Sequence, residues 1–475
     1  MYRLPVILLL CSVLMPQTAS GQSYYRETKL PVSSDNLDED APVLFENVLI
    51  FSSNRPQNSI VSKTDADKRL FFHRYSATYD ADWQKMGAPK EFAPELASDL
   101  HDGPVTFTPD ESTMCYTRMY EADNSSADRN SNGYSGLYFA DYDGEKWINI
   151  REFEFNDPEV NFFSPCFSRD GRRLFFAANF PDSNGGLDLY VSEKVNGQWT
   201  TPVNLGNQVN TPQNDFYPYA HSSGRLYFCS EGHDNRGGKD IFMTEQVNGR
   251  WLPPQKLGDP FNSASEDYSL VMSDDFQSGF FVSARRGSKD IFHFYSDLPE
   301  FENPREQQLN EFCYLLKENS ADTADHSLYD YSWLINDTLT LKGREVDYCF
   351  PGPGLYDLRF NVYNKLTDSL MENQASYQLF LEDIIQAYIT CPDTGYVGLE
   401  LRFDARKTNL PGFEIDSYFW DFGDGQRAEG IETRHTYLFP GKYKVILGVT
   451  EKVANRKDTP LKKANFKQIV IIPPN

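Results

Sequence analysis

Three aspartates recur in one local setting. Asp188 and Asp240 follow Gly-Gly-x, Asp290 follows Gly-Ser-Lys, and each precedes Leu-Tyr or Ile-Phe. A ring of such carboxylates could bind a cation or a substrate. An Asp in a Gly-rich loop also accepts hydrogen bonds from the N–H groups of that loop. A residue that returns once per structural unit is expected to be architectural, and that is the reading adopted. Trp83, Trp147, Trp199 and Trp251 form a second series, read as packing between units rather than as a sugar platform. Asp421 and Asp424 flank a tight glycine turn, and calcium, a hard cation, wants several such oxygens. Two carboxylates fall short of a shell, so turn stabilisation is expected there.

Reaction motifs are scarce. The seven histidines form neither HExxH nor HxH, and no Gly-x-Ser-x-Gly elbow occurs. Ser168-Arg169-Asp170-Gly171 begins like a sialidase box but lacks the later Trp. No pattern singles out a glycosidase-type carboxylate pair. The expectation is a non-enzyme with no catalytic, cofactor-binding or metal-ligating residue and no cofactor.

The elements that carry these residues repeat. Phe163–Gly206 and Phe216–Gly258 are two copies of one unit, with Pro165 and Pro218 53 apart and Trp199 and Trp251 52 apart. Each copy parses into four short strands separated by Asp-Gly, Ser-Gly, Gly-Gly and Asn-Gly turns, the signature of a β-propeller blade. Residues 22–300 hold five copies, anchored at Ala41-Pro42, Gly103-Pro104, Ser164-Pro165, Tyr217-Pro218 and Tyr268-Ser269. An acidic residue or Asn precedes each anchor: Asp40, Asp102, Asn161, Asp215 and Asp267. Fourth strands are expected to begin at the four tryptophans. The fifth copy lacks one, and Tyr24 to Leu30 repeats the spacing of Trp251 to Leu257. The segment behind the leader should therefore complete the fifth sheet and leave no open end. Copies one and two are expanded around Pro56–Lys68 and Glu121–Tyr134, read as solvated loops.

The chain has 475 residues, 15% aromatic, with a formal charge of −24. That charge argues against nucleic acid and anionic membrane surfaces as partners. Residues 1–21 read as a secretory signal: Arg3, an apolar run over Val6–Met15, and Ala19-Ser20-Gly21 for cleavage. Cys11 lies inside the apolar run, which argues against lipidation. No later run resembles a transmembrane helix, so any membrane association is expected to run through a partner. Cys115, Cys166 and Cys229 fall on strands of the repeats as small buried hydrophobes, and Cys313 with Cys349 is a candidate pair within a later domain.

Ser168-Arg-Asp-Gly-Arg-Arg-Leu-Phe-Phe and Gly237-Gly-Lys-Asp-Ile-Phe resemble the WD40-like propeller repeats of TolB-type periplasmic proteins. The aromatic variant with Asn-Gly-x-Trp looks most like envelope proteins of Bacteroidota, where such propellers accompany the type IX secretion and gliding machinery. No OmpA-like segment follows the repeats, in departure from that set. Glu300–Asn310 reads as a linker. Tyr418-Phe-Trp-Asp-Phe-Gly-Asp-Gly with His435-Thr-Tyr-Leu-Phe-Pro-Gly-Lys-Tyr closely resembles the polycystic-kidney-disease (PKD) repeat, an immunoglobulin-like sandwich. Tyr331-Ser-Trp with Tyr348-Cys-Phe-Pro-Gly resembles a diverged copy, aligned by Trp333 on Trp420 and Phe350 on Phe439.

The expectation is thus an all-β chain: signal peptide 1–21, a five-bladed β-propeller over 22–300 closed by an N-terminal strand, and two immunoglobulin-like (PKD-type) β-sandwiches over 301–383 and 384–475. The resemblance implies a periplasmic, outer-membrane-associated scaffold whose partners are envelope or secretion-system proteins. The alternative is an exported glycan-binding or glycan-degrading propeller protein.

Overall fold

The computed structural model describes residues 25–473 apart from 57–69, 81–82, 99, 121–133, 297, 300, 302, 319–325 and 454–459. The leader, Tyr24 and most of both expanded loops lie outside the described residues. The described chain is all-β, with two 3-10 turns and no α-helix. It divides into two compact units, Met1–Leu298 and Pro299–Asn475.

The N-terminal unit contains five antiparallel sheets in chain order. Sheets 1 to 4 begin with Glu39–Phe45, Asp102–Phe107, Phe162–Phe167 and Asp215–Ala220. Sheet 5 consists of Asp267–Met272, Ser278–Ser283 and Asp290–Ser296, and its outer strand is Tyr25–Lys29. Tyr25 lies opposite Ser296 and Lys29 opposite Phe292, as expected for a strand supplied from the chain's beginning. The first strands of successive sheets touch in order, and that of sheet 5 touches that of sheet 1. Each first strand carries a register shift at its anchor. In four of them the residue there adopts a left-handed backbone: Ala41, Ser164, Tyr217 and Ser269. This is the geometry of a β-bulge, which bends the strand and re-aims its side chains.

Two details of the repeat differ from expectation. Glu39, not Asp40, occupies the acidic position of the first copy: it lies opposite Ser53, as Asp215 lies opposite Ser230 and Asp267 opposite Ser283. Only Trp147 begins a long fourth strand, Trp147–Glu152. Trp199 and Trp251 end two-residue strands in tight hairpins, and the chain rejoins its sheet at Val203–Asn204 and Gln255–Lys256. Pro202 and Pro253-Pro254 intervene, and proline cannot donate to the ladder. Trp83 lies outside the strands, and the fourth strand of sheet 1 is Lys90–Glu91.

In the C-terminal unit, Cys313–Lys317 pairs with Glu345–Cys349, and a four-stranded sheet packs against them around Trp333, Phe350 and Phe360. A disulfide joins Cys313 to Cys349. The last sandwich has a larger sheet built on Ile415–Asp421, Gly441–Glu451 and Lys462–Ile472, and a smaller one of Glu400–Asp404 with Glu432–Thr436. Its core holds Trp420, Phe403, Tyr437 and Val445, all 0% exposed. Residues 305–306, expected in a linker, pair in parallel with Asn465–Phe466 and so belong to this sheet.

The two sandwiches repeat one another in register. Trp333 lies opposite Phe360 and Trp420 opposite Leu447. Each indole donates to a carbonyl shortly beyond, Arg344 at 3.2 Å and Gly430 at 2.8 Å. The Tyr356 hydroxyl donates to the Gly352 carbonyl at 2.9 Å, and Tyr443 to Phe439 at 2.9 Å. These bonds make Phe350 the counterpart of Tyr437, not of Phe439. Aligning Phe350 on Phe439 matches the Phe-Pro-Gly letters, whereas the hydrogen bonds set Gly352-Pro353-Gly354 on Phe439-Pro440-Gly441.

Candidate functional site

The repeated aspartates are built into loops. Asp188 Oδ2 accepts from Asn184 N at 2.7 Å and Asn204 Nδ2 at 2.8 Å. Asp240 Oδ2 accepts from Arg236 N at 2.5 Å and pairs with Lys256 Nζ at 2.6 Å. Asp290 Oδ1 accepts from Ser288 Oγ and pairs with Lys29 Nζ, both at 3.0 Å. Asn204, Lys256 and Lys29 occupy one position of the outermost strand in sheets 3, 4 and 5. All three carboxylates are fully buried. Their partners are donors of the same fold, so they lock loop to outer strand rather than face a ligand. The preceding glycines are steric: a Cβ on Gly185 would lie 2.2 Å from Pro212 backbone atoms, and one on Gly237 2.3 Å from the Ser265 carbonyl.

The tryptophans join neighbouring sheets. Trp147 lies 5.4 Å from Phe45 of sheet 1, Trp199 6.0 Å from Phe139 of sheet 2, and Trp251 6.2 Å from Phe175 of sheet 3, measured between ring centroids. Trp83 of sheet 1 lies 4.6 Å edge-on to Phe280 of sheet 5. Each is packing, as read from the spacing.

In the last sandwich, Asp421 accepts from Gly423 N at 2.9 Å and Arg427 Nε at 3.1 Å. Asp424 accepts from Gln426 N at 3.0 Å and His435 Nε2 at 2.7 Å, and the His435 ring stacks on Phe422 at 4.1 Å. The Asp421 and Asp424 oxygens are thus engaged in holding the turn. Among the described residues no group of three or more His, Cys, Asp or Glu side chains is placed to hold a metal. No helix among them is long and apolar enough to cross a membrane.

What the repeat spacing did not reveal is a pair of cavities among the first strands. One, of about 440 Å³, is lined by the residues that follow the anchors, among them Val43, Val105, Cys166, Tyr219 and Val271. The other, of about 340 Å³, lies against the opposite ends of these strands: Asp40, Lys239 and Lys289 line it among Phe72, Phe163 and Phe216. Asp40 Oδ2 accepts from the Tyr217 hydroxyl at 2.6 Å. Burial pushes the Asp40 carboxyl above its usual range, against the pull of that hydroxyl and the nearby lysines. Burial also pushes the Tyr217 and Tyr268 phenols well up, so both stay protonated. Lys239 Nζ lies over the Phe216 and Tyr268 rings at 5.6 and 5.5 Å and pairs with Glu266 at 3.3 Å.

The architecture and sites together define an all-β protein in which a unit of five antiparallel sheets, of four or five strands each, precedes a PKD domain. Residues 386–460 match the PKD domain family. Collagenase ColA of Clostridium perfringens is 29% identical over 122 residues, 25% of this chain and 10% of that protein. Human polycystin-1 is 27% identical over 117 residues, 24% of this chain and 3% of that protein. The chain thus spans a tenth or less of these relatives. Among solved structures, TolB from Acinetobacter baumannii is similar at 14% identity and a TM-score of 0.29, over 63% of this chain and 59% of that one. A likeness that distant carries no argument about function.

Proposed function

We propose that the N-terminal unit is a five-bladed β-propeller and that the protein is a non-enzymatic scaffold in an exported envelope assembly. The observation that carries the reading is the pairing of Tyr25–Lys29 with Asp290–Ser296, together with the Trp83–Phe280 contact. A ring whose last sheet is finished by its first strand resists opening at the seam. It offers rigid loop faces, and the PKD domain adds a further interaction surface. The setting proposed is the periplasm at the outer membrane, with secretion-system or gliding proteins of the type IX kind as partners, in line with the Bacteroidota resemblance. The acidic surface favours protein partners with basic patches. The repeated aspartates and the PKD-turn carboxylates serve the fold, and that use favours a binding role over catalysis. Affinity capture of the tagged protein from its native envelope tests this: a stoichiometric envelope partner is expected, and recovery of the protein alone would overturn the proposal.

A further inference from the structure

The two sandwiches of the C-terminal unit differ at one edge. Gly354–Asn364 and Gly441–Glu451 are counterparts, so Ser369–Leu381 and Lys462–Ile472, which pair with them, are counterparts too. The outer edge of Lys462–Ile472 is covered by two short strands that run parallel to it: Arg305–Glu306 opposite Asn465–Phe466, and Thr394–Tyr396 opposite Val470–Ile472. Ser369–Leu381 ends its sheet, and among the described residues no strand covers its outer edge. The chain itself shows why. Thr394 precedes the strand Glu400–Asp404 by six residues, and Gln307 precedes the strand Cys313–Lys317 by the same interval. The segment that repeats the covering strand therefore begins at Gln307, yet Gln307 N donates to the Phe466 carbonyl at 2.8 Å and extends the pairing of Arg305–Glu306 with the neighbouring sandwich. The first sandwich has lent its covering strand to the second.

The backbone of the uncovered edge is aimed outward. Asp357 turns its own backbone toward Asn336: its carbonyl accepts from Asn336 N at 2.9 Å, and its N–H donates to Asn336 Oδ1 at 2.8 Å. Gln378, opposite Asp357, therefore sits in a non-hydrogen-bonded pair, with its N–H and C=O on the open side. Ser376 and Phe380, one repeat to either side, point the same way. Edges of this kind are normally guarded by charges, prolines or bulges. Ser369–Leu381 holds one charged residue, Glu372, and no proline. Its register shift, at Asn373 with a left-handed backbone, lies ahead of Ala375–Leu381, which pairs in unbroken register. Phe380, 64% exposed, and Leu355, 55% exposed, stand opposite one another beside this edge.

Charge selects among the strands that could fill it. Residues 311–383 hold 13 Asp and Glu against 5 Lys and Arg. A second copy would bring like charge to the same edge, whereas a strand flanked by Lys or Arg is attracted to it. We infer that the open edge of Ser369–Leu381 is a docking site for an extended segment of a partner protein, apolar where it crosses Phe380 and Leu355, flanked by basic residues and running parallel to the strand. In such strand addition the main chain supplies affinity and the side chains supply specificity. The inference gives the proposed scaffold a specific surface and rests on that reading for its setting.

The test uses the mature full-length chain and a fluorescein-labelled probe peptide of alternating Val and Thr with two Lys at each end. Its anisotropy should rise saturably, and hydrogen exchange should slow at the Ser376, Gln378 and Phe380 amides. A version of the probe with Glu at its ends should bind about tenfold more weakly. Gln378→Pro removes an outward N–H and spares the ladder to Gly354–Asn364, so it should weaken binding about tenfold. Phe380→Ser changes an exposed side chain and should weaken binding at unchanged melting temperature. No saturable binding, protection at other amides, or binding indifferent to both substitutions would overturn the inference. Equal binding of the Glu-ended probe would overturn it too. Dimerisation that protects the same amides without the probe assigns the edge to a second copy and also overturns it. If a stoichiometric envelope partner is captured while the probe fails, the scaffold reading stands and this inference falls.

Discussion

Replacing Lys29 by Met tests the seam of the five-sheet unit at its most exposed assumption. Lys29 Nζ lies 3.0 Å from Asp290 Oδ1, and Asp290 is 0% exposed while the lysine side chain is 12% exposed. Its second bridge, to Asp35 at 2.8 Å, involves a carboxylate 91% exposed and contributes little. Methionine keeps the length of the stem and removes the ammonium, leaving a buried carboxylate with Ser288 Oγ as its remaining named partner. Removing one member of a buried pair costs about 3–5 kcal/mol. Ser288 and the lysine's partial exposure bring the expected loss to about 2–4 kcal/mol at pH 7. Sheets 3 and 4 provide internal controls. Asn204 makes the equivalent contact without charge, so Lys29→Asn should cost less than Lys29→Met. Adding Asp290→Asn should recover part of the loss in a double-mutant cycle. Urea denaturation of the full chain, followed through the transition of the N-terminal unit, reads these values. A Lys29→Met midpoint equal to wild type, or a coupling energy near zero, would refute the reasoning.

Further outcomes follow from other sites. Asp215 is raised by burial to about 6 despite hydrogen bonds from Ser230 and Thr211; folding therefore takes up a proton there, and this group's contribution grows as pH falls from above 6 to below 4, by about 3 kcal/mol. Asp215→Asn should flatten that part of the stability–pH curve. His293 is lowered to about 4 by burial, so stability is lost as pH falls below its unfolded value and through 4; His293→Gln should remove that loss, a slope opposite in sign to that of Asp215. Gly237→Ala places a methyl 2.3 Å from the Ser265 carbonyl and should cost about 3 kcal/mol, measured as a lower urea midpoint. Cys313→Ser with Cys349→Ser opens a loop of sequence separation 36 and should cost about 2–4 kcal/mol, confined to the C-terminal unit in hydrogen exchange.

The repeated sheets could be read from the chain because each element recurs: Leu30, Leu205 and Leu257 donate to Ile291, Leu189 and Ile241, and the spacing to the next sheet follows. The seam strand was legible for the same reason. The acid of the first copy was not, because two acids, Glu39 and Asp40, adjoin before the Pro42 anchor, and only the ladder, which sets Glu39 opposite Ser53, tells them apart. The outer strands after Trp199 and Trp251 were displaced by prolines whose effect depends on the hairpin's direction. Residues 305–306 carry too short a pattern to announce a strand, and they pair only because the edge of Lys462–Ile472 is open to them. The smaller cavity was illegible for a different reason. Its lining comes from residues distant in sequence, among them Asp40, Phe72, Phe163 and Lys289, which meet only once the first strands lie side by side. A signal was nonetheless present in the change from Leu187 to Lys239 and Lys289 beside aspartates that do not change.

The seam itself can be tested by covalent capture. Arg26 lies directly opposite Tyr295 in the antiparallel pair, and cysteines at such positions have their Cα atoms about 4.5–5.5 Å apart, within disulfide range. In an Arg26→Cys, Tyr295→Cys variant, mild oxidation should yield one new cross-link, seen by peptide mass spectrometry as joined N-terminal and sheet 5 fragments at unchanged melting temperature or above. A variant that stays fully reduced, or joins these cysteines between molecules instead, would contradict closure by the N-terminal strand.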